Sequence, residues 1–447
     1  MKIITWTWLS LALAGSCVQV EPQADFDSAR ALVEVSTGQV DVFDPSVASL
    51  TASDLDAILA DGLSLDEALR VALLNNRELQ AEFQSIGIAH TDWVQAQLLS
   101  NPSLDTLLRP PSGGGRTMLE AALGIELLEL WRIPARSEAA KRDLEATVLR
   151  VARSAGARVA DVRQSYYTAA ADIELVQVAN ASLALAQRSF EAAQALREAG
   201  SADALEENLA RGPLLAAQLA LRTAHVNAAN SKHALAQQLS LDFAVERIEL
   251  TDSLPESAAS DVDVEALIEL AHASRLDLRA IASDVEARKS RMTVEERRAW
   301  GDLAVGPSIE RQNNGPDLIG ATINLTLPIF DQNQAQVARA GFELEQMNRL
   351  YEAARIAATR QVRLQASSVN EFAQQLAFYR EELLPNGEHS LALANESYVA
   401  GGQTLPALLE VQRQLLNARK NFVLKKLAAA LATSDLELAV GAPLPAH

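Results

Sequence analysis

Two stretches of alternating sequence, 119–128 (LEAALGIELL) and 319–329 (IGATINLTLPI), decide the fold. In both, apolar residues recur at every second position, which is the pattern of a β-strand with one apolar face. Shorter runs at 103–109 and 303–311 precede them, across turns rich in Gly, Pro and Asn. The pattern predicts two β-hairpins with strands of roughly ten residues, the length that a tilted membrane strand needs. A half-buried soluble hairpin would show the same alternation.

Most of the remaining chain has the helical period. Ser64 and Glu67 have the spacing of a capping box at the start of the first helix, and Pro134 takes a favoured first-turn position in another. Antiparallel helices this long must pack along their length as coiled coils. The predicted helices are 63–99, 134–198, 203–239, 263–299, 334–399 and 404–437, with an interruption around 385–387.

The same order of helices and β-hairpin occurs twice along the chain. Residues 75–81 lie over 274–280 at an offset of 199, and Trp131 lies over Phe330 at the same offset. Shared landmarks of this kind indicate a duplicated unit. The predicted divisions are a signal peptide 1–16, an arm 17–62, a first repeat 63–241 with a hairpin at 101–130, a linker 242–261, a second repeat 262–441 with a hairpin at 302–330, and a tail 442–447.

The N-terminus predicts export. Lys2, an apolar run and small residues before Cys17 describe a secretory signal. Cys17 is the only cysteine of the chain and stands where a bacterial lipoprotein signal would place it, so we expect it to be lipidated. A plain signal peptide with an incidental cysteine is the alternative. The arm 17–62 is expected to be extended, with at most short helices.

Composition excludes several classes of function. The 447 residues carry a formal net charge of −19 and no basic stretch, which excludes a nucleic-acid partner. The acidity fits either a solvated outer surface or a duct lined with carboxylates. The six histidines are scattered, and no nucleotide loop or Cys/His cluster is present, so neither a cofactor nor an enzyme activity is expected.

Membrane crossing is expected through strands, because no segment after the signal is predicted as a transmembrane helix. Two strands per repeat give four per chain, and four strands leave two unpaired edges. Two chains would close eight strands around a filled interior, whereas three would close twelve around an open lumen. The expected fold is therefore mainly α with a small β part. It comprises a long antiparallel α-helical coiled-coil barrel and four membrane β-strands per chain, in a twofold internal repeat that forms a trimeric 12-stranded β-barrel.

Several spaced motifs carry a resemblance to a known family. Together they resemble TolC-like outer-membrane factors over about residues 60–441, and the arm motifs resemble the lipoprotein branch. The resemblance implies a trimeric tunnel in the outer membrane of a Gram-negative bacterium that docks onto a periplasmic adaptor and a proton-driven inner-membrane pump. The motifs are LDEAL at 65–69, NNREL at 75–79, LPIFDQNQ at 327–334, YVAGG at 398–402, LLE at 408–410 with Leu415, and ARALV at 29–33 with Thr37-Gly38.

The resemblance also implies a closed state held by polar contacts at the helix tips. Glu206 matches a tip carboxylate and Tyr398 the tyrosine that it bonds, while Glu410 matches one of two acidic positions at the constriction. The other acidic position is Ala407 here, and the gate arginine is replaced by Gln403, so we expect a weaker ionic lock. An exposed helical carboxylate is the alternative for Glu206 and Glu410. The predicted tip turns contain Gly200, Gly401 and Gly402.

Two functions remain open at this stage. A passive exit duct needs paired hairpins at equivalent places, whereas a soluble periplasmic coiled-coil adaptor would show one helical hairpin between all-β segments. In α-helix 404–437 an apolar stripe of Leu408, Leu415 and Phe422 opposes a polar face with Glu410, which suits a water-lined duct or a solvated outside face. The motif at 330–334 resembles the heavy-metal efflux branch, yet four Met and one Cys supply no relay of soft ligands. Metal cations and small toxic organic compounds both remain candidate cargoes.

Overall fold

A computed structural model describes residues 20–47, 50–200, 202–241, 248–255, 263–400 and 402–444. The predicted signal peptide, Cys17, Gly401 and much of the predicted linker 242–261 lie outside these residues. The chain forms two compact units. Unit 1 consists of the described parts of Met1–Ala29, Phe83–Arg150 and Asp277–Ala353, and unit 2 of those of Arg30–Glu82, Val151–Leu276 and Ala354–His447.

The structure is mainly helical, with one small sheet, as the sequence predicts. The strands are β1 (Ser103–Arg109), β2 (Met118–Glu126), β3 (Leu303–Arg311) and β4 (Asp317–Leu325). The helices are α1 (Gln23–Thr37), α2 (Ala52–Ile58), α3 (Leu65–Asn75), α4 (Arg77–Gln97), α5 (Glu129–Glu198), α6 (Ala204–Gln238), α7 (Val264–Ser274), α8 (Leu276–Arg298), α9 (Gln334–Phe378), α10 (Leu384–Val399) and α11 (Leu405–Val440).

Two of the predicted helices are each broken once, at corresponding places of the repeat. Asn76 separates α3 from α4 with φ −65° and ψ 115°. Arg275 separates α7 from α8 with φ −59° and ψ 117°. The prediction of continuous helices over 63–99 and 263–299 is therefore wrong. The spacing of the apolar residues could not reveal the breaks. A single extended residue does not interrupt the apolar pattern of the sequence on either side of it.

The breaks let polar side chains hold the last helix of each half. The side-chain amide of Asn75 donates to the carbonyl of Leu239 at 3.1 Å, just past the end of α6. The guanidinium of Arg275 donates to the carbonyl of Ala439 at 2.8 Å, at the end of α11. The last carbonyls of a helix have no partner within it, so these contacts satisfy buried acceptors. The repeated Asn-Asn-Arg and Ser-Arg-Leu motifs thus have a shared structural role.

The first long helix starts earlier than predicted. α5 begins at Glu129, so Pro134 lies inside the helix rather than in its first turn. Glu129 stabilises the added turn, because a carboxylate is favoured at a helix N-terminus and this one accepts a hydrogen bond from Arg136 at 2.7 Å. The strand before it is correspondingly short and ends at Glu126.

Two other predictions are corrected in the same way. The arm contains a helix of 15 residues, α1, whose Phe26, Ala29 and Val33 are buried at helical spacing. The strand predicted to reach 329 ends at Leu325. Pro328 has no backbone N–H with which to continue a ladder, which accounts for the earlier end.

The interruption predicted around 385–387 takes the form of a π-helical turn over Tyr379–Leu383. The N–H of Leu384 donates to the carbonyl of Tyr379, five residues back. Pro385 cannot donate a hydrogen bond to the preceding turn, and one wider turn accommodates that gap without ending the helix. α10 then continues to Val399.

Unit 1 contains the four-stranded antiparallel sheet, in the order β1-β2-β3-β4. The middle pair joins the two hairpins, with Ala121 opposite Ile309 and Ile125 opposite Val305. Gly306 is required there, since a Cβ at this position would overlap the carbonyl oxygen of Leu123. Neither β1 nor β4 has a second neighbour among the described residues, and nearly all of their side chains are exposed. One chain thus presents two free strand edges.

Unit 2 contains the helices of both halves packed on one another. Val423 of α11 packs against Ala170 and Ala171 of α5, with Leu254 from the segment before α7. A second cluster joins α7, α9 and α11 through Leu267, Val362 and Leu436. The first cluster therefore joins the two halves of the repeat, whereas the second lies within the second half.

Within the described residues, one helix is long and apolar enough to meet a composition test for a membrane span. It is α5, where an 18-residue window has a mean hydropathy of 1.2 and is 22% buried. This departs from the prediction that no such helix follows the signal. Ala170 and Ala171 of α5 pack against Val423 of α11.

Candidate functional site at the helix tips

The first tip joins α5 to α6 in unit 2. Gly200 has a φ of +75°, a left-handed conformation that glycine adopts without steric cost. The carboxylate of Asp203 accepts hydrogen bonds from the backbone N–H groups of Leu205 and Glu206, both at 2.9 Å, and so caps α6. Arg197 of α5 forms an ion pair with Glu207 of α6. This turn is fixed by its own side chains.

The second tip joins α10 to α11 in the same unit. The N–H of Gly402 donates to the carbonyl of Ser397 at 2.8 Å, and a Cβ at Gly402 would lie 3.1 Å from the Ser397 hydroxyl oxygen. Thr404 is the N-cap residue of α11, but its side chain makes no capping hydrogen bond. Gly401 lies outside the described residues. Backbone contacts, rather than side-chain caps, define this turn.

The second tip is packed onto the first. Leu405, the first residue of α11, is 1% exposed and contacts a cluster containing Ala193 of α5 and Ala210 of α6. Tyr398 and Phe190 lie against the same cluster. Apolar packing therefore joins the two tips at the place where the sequence predicts a gate.

Glu206 and Tyr398 are brought close together, but no hydrogen bond joins them among the described residues. Burial raises the pKa of the Tyr398 hydroxyl, and the negative charge of Glu206 raises it further. A phenol with a raised pKa stays protonated at neutral pH and keeps its O–H donor. The Tyr398 hydroxyl could donate a hydrogen bond to the Glu206 carboxylate. In this conformation Tyr398 packs against the apolar cluster and lies near the charge of Glu206.

Glu410 is exposed on α11 and is held by its own helix. Arg413 donates to its two carboxylate oxygens at 2.9 and 2.7 Å, and Gln414 donates to one of them at 2.9 Å. The hydrogen bonds from Arg413 and then Gln414 lower the pKa of Glu410. Gln403 is exposed in the turn, and Ala407 is half-buried. Within the described residues, Glu410 therefore has no ion pair with another helix.

Sequence reasoning missed two polar contacts between the halves. Gln412 of α11 is buried and donates to the Ser189 hydroxyl of α5 at 3.0 Å. Lys426, also buried, donates to both carboxylate oxygens of Glu174 at 2.6 and 2.7 Å. A signal was present: both residues fall in line with the buried Leu408 and Leu415 of α11. Polar residues at core positions need partners, and α5 supplies them.

Comparisons with known proteins agree with this architecture. A protein of Cupriavidus metallidurans, the cobalt-zinc-cadmium resistance protein CzcC, is 28% identical over 372 residues, covering 81% of this chain and 86% of CzcC. The solved outer membrane protein VceC of Vibrio cholerae has a TM-score of 0.71 at 15% identity, covering 88% of this chain and 99% of VceC. The open MtrE outer membrane channel of Neisseria gonorrhoeae has a TM-score of 0.70 at 18% identity, covering 85% of this chain and 89% of MtrE. At these identities the two structures show the fold alone.

The family described as outer membrane efflux protein matches residues 68–240 and 267–442. The two matched segments correspond to the two halves of the repeat, and together they cover well over half of the chain. The resemblance to TolC-like outer-membrane factors is thereby confirmed. The chain belongs to the outer membrane efflux protein family, and it is a channel protein of the Gram-negative outer membrane that extends into the periplasm.

Proposed function

We propose that three copies of this chain form a passive exit duct with a twelve-stranded barrel. The observation that carries the proposal is the pair of free edges, β1 and β4, on the four-stranded sheet of unit 1. Unpaired strand edges are not tolerated in hydrocarbon, so they must pair between copies. Three copies give twelve strands and leave a lumen, whereas two give eight and a filled interior.

The helices of unit 2 support closure between copies in an independent way. α5 and α11 contact each other within one chain through Lys426 and Glu174. Their hairpin partners α6 and α10 carry unpartnered apolar side chains: Leu219 is 66% exposed and Val399 is 87% exposed. In a ring the α6 flank of one copy would face the α10 flank of the next, where these side chains would be covered.

The gate of this duct would lie at the two tips of unit 2. Glu206, Tyr398, Gln403 and Glu410 are its polar residues, and Gly200, Gly401 and Gly402 form the turns. The lock would be weak, because Gln403 carries no charge and Glu410 is paired within α11. Apolar packing of Leu405 would supply much of the closing energy.

The duct would take no part in chemistry of its own. A periplasmic adaptor would bind it, and a proton-driven pump of the inner membrane would supply energy and cargo. Cys17, placed behind a secretory signal, would carry lipid that anchors the chain to the outer membrane. Palmitate labelling of the wild type, absent in Cys17→Ser, tests the anchor.

The proposed cargo is divalent metal cations. The support is the likeness to CzcC, a protein named for cobalt, zinc and cadmium resistance. Only four Met and one Cys occur in the chain, so cations would pass along carboxylates and water rather than soft ligands. Deleting the gene should lower the zinc, cobalt and cadmium concentrations that the host tolerates. Sensitivity to organic compounds alone would contradict a metal cargo.

Fractionation and conductance test the duct itself. The protein should be recovered from outer membranes and conduct ions in planar bilayers. Glu410→Ala should weaken block of the conductance by divalent cations, and unchanged block would contradict the placement of Glu410 in the lumen. Recovery as a soluble periplasmic monomer would favour the alternative, a coiled-coil adaptor.

A further inference from the structure

A groove in unit 1 is lined by arginines where the helices approach the sheet. It has a volume of about 510 Å³, within the size range of ligand sites. Its walls come from α5, α8 and α9, with Ala96 of α4. Its charged lining is Arg136, Arg288, Arg291, Arg298 and Arg339, with Asp143, Glu295 and Glu343.

The carboxylates of the groove are already engaged. Glu343 accepts from Arg288 at 2.8 Å and from Arg339 at 2.9 Å, and Asp143 pairs with Arg291. Glu295 accepts from Arg298 at 2.7 Å. Each carboxylate of the lining therefore has an arginine partner, so the groove is better suited to an anion than to a cation.

The guanidinium groups retain unused donors. Arg136 uses three of its N–H groups, one on Glu129, whose carboxylate balances its charge, and two on the carbonyls of Ala96 and Leu98. A guanidinium has five N–H donors. Each of the other four arginines directs a single N–H to the described residues. Those four positive charges face three carboxylates, which leaves an excess of one in a chain with a net charge of −19. One phosphodiester carries the single negative charge that would balance it.

The position of the groove identifies the source of that phosphodiester. Trp131 and Trp300 stand between the sheet and the helices of unit 1, with ring centroids 6.3 Å apart, and are 45% and 68% exposed. Tryptophan is enriched at the membrane–water interface of membrane proteins, at the level of the lipid headgroups. Arg298 lies two residues before Trp300, at the end of α8, and is part of the groove. One end of the groove therefore lies next to the tryptophan pair in the sequence.

We propose that this groove binds the phosphodiester of an anionic phospholipid from the leaflet that faces the periplasm. The proposal rests on the outer-membrane placement of the sheet. Arg288, Arg291, Arg298 and Arg339 would donate the hydrogen bonds. The tryptophan pair would contact the glycerol and upper acyl region. Guanidinium groups match phosphate oxygens in geometry and form strong charge-assisted hydrogen bonds with them.

Native mass spectrometry of the full-length assembly in detergent tests the site, with phosphatidylglycerol, phosphatidylethanolamine and inorganic phosphate as probes. The double variant Arg298→Gln/Arg339→Gln keeps Arg288 on Glu343 and Arg291 on Asp143, so we expect the fold to be retained. It should bind phosphatidylglycerol about tenfold more weakly than the wild type, since charge-assisted hydrogen bonds are lost. Phosphatidylglycerol should bind the wild type more tightly than phosphatidylethanolamine.

Arg349→Gln is the matched control. Arg349 lies on the same helix as Arg339 and has the same exposure, 71% against 72%, but its partners Glu345 and Glu352 are outside the groove. Its affinity for phosphatidylglycerol should equal that of the wild type. An equal loss in both variants, no preference for phosphatidylglycerol, or displacement of the lipid by millimolar phosphate would overturn the site. The assembly mass and bilayer conductance of the same samples report separately on the proposed duct.

Discussion

Leu205 and Leu405 stand in the first turns of α6 and α11, close behind the N-cap residues Asp203 and Thr404, and their surroundings are opposite. Leu205, in the first turn of α6, is 63% exposed, whereas Leu405, in the first turn of α11, is 1% exposed. The first tip has a side-chain cap and an ion pair between its two helices. Among the described residues, the second tip has no side-chain cap, and the ion pair of its Glu410 stays within one helix. Arg419 of α11 pairs with Glu388 of α10, but this contact lies away from the turn.

The difference indicates that the two copies of the duplicated unit have different roles at the gate. The first tip is stable by itself and offers an apolar surface at Ala193 and Ala210. The second tip depends on that surface for its position. In a channel gate, an element that is held mainly by packing can move away from the neighbour on which it packs. We therefore assign movement to the second tip and support to the first.

The largest effect is expected from removing the buried leucine. Leu405→Ala should destabilise the second tip by about 2 to 5 kcal/mol, because the lost side chain leaves a cavity in the cluster. Leu205→Ala should change stability by less than about 0.5 kcal/mol, as for an exposed residue. Hydrogen exchange of the amides of 402–412 measures both. Equal protection in the two variants would contradict the assigned division between tips.

An intermediate effect is expected from the caps. Asp203→Ala should cost about 1 kcal/mol in the first turn of α6, because two backbone N–H groups lose their acceptor. Thr404→Ala removes no capping hydrogen bond and should leave the first turn of α11 nearly unchanged. Amide exchange in the two first turns gives the comparison. A larger loss at Thr404 would show that the second tip has a cap of its own.

The smallest effect concerns pH. The hydrogen bonds from Arg413 and then Gln414 lower the pKa of Glu410 below its ordinary 4.5. A lowered pKa keeps the carboxylate charged as pH falls through 4.5, so divalent block of the conductance should persist there and vanish only at lower pH. In Arg413→Ala the block should be lost at a higher pH than in the wild type. Asn417→Ala, also on the exposed side of α11, should leave the profile unchanged. If the pH dependence of block were the same in the wild type and both variants, Glu410 would not lie on the conduction path.

Much of the fold could be predicted from pattern alone. Period two located β2 and β4, the runs before them predicted β1 and β3 at the bounds observed, and the constant offset revealed the repeat. The breaks at Asn76 and Arg275 were missed because they serve the ends of distant helices rather than local periodicity. Glu410 was assigned by resemblance, while its binding by Arg413 follows from side-chain geometry that no pattern encodes. The positions of Gln412 and Lys426 in the apolar stripe signalled burial, but their partners Ser189 and Glu174 lie on another helix and could not be read from the stripe.

The free edges of β1 and β4 make closure between three copies the central claim. Native mass spectrometry of the protein extracted from outer membranes measures the number of chains directly. A mass of three chains is predicted, because twelve strands close around an open lumen. A mass of one chain would leave both edges unpaired, and a mass of two would give an eight-stranded barrel with a filled interior. Either result would contradict the exit duct.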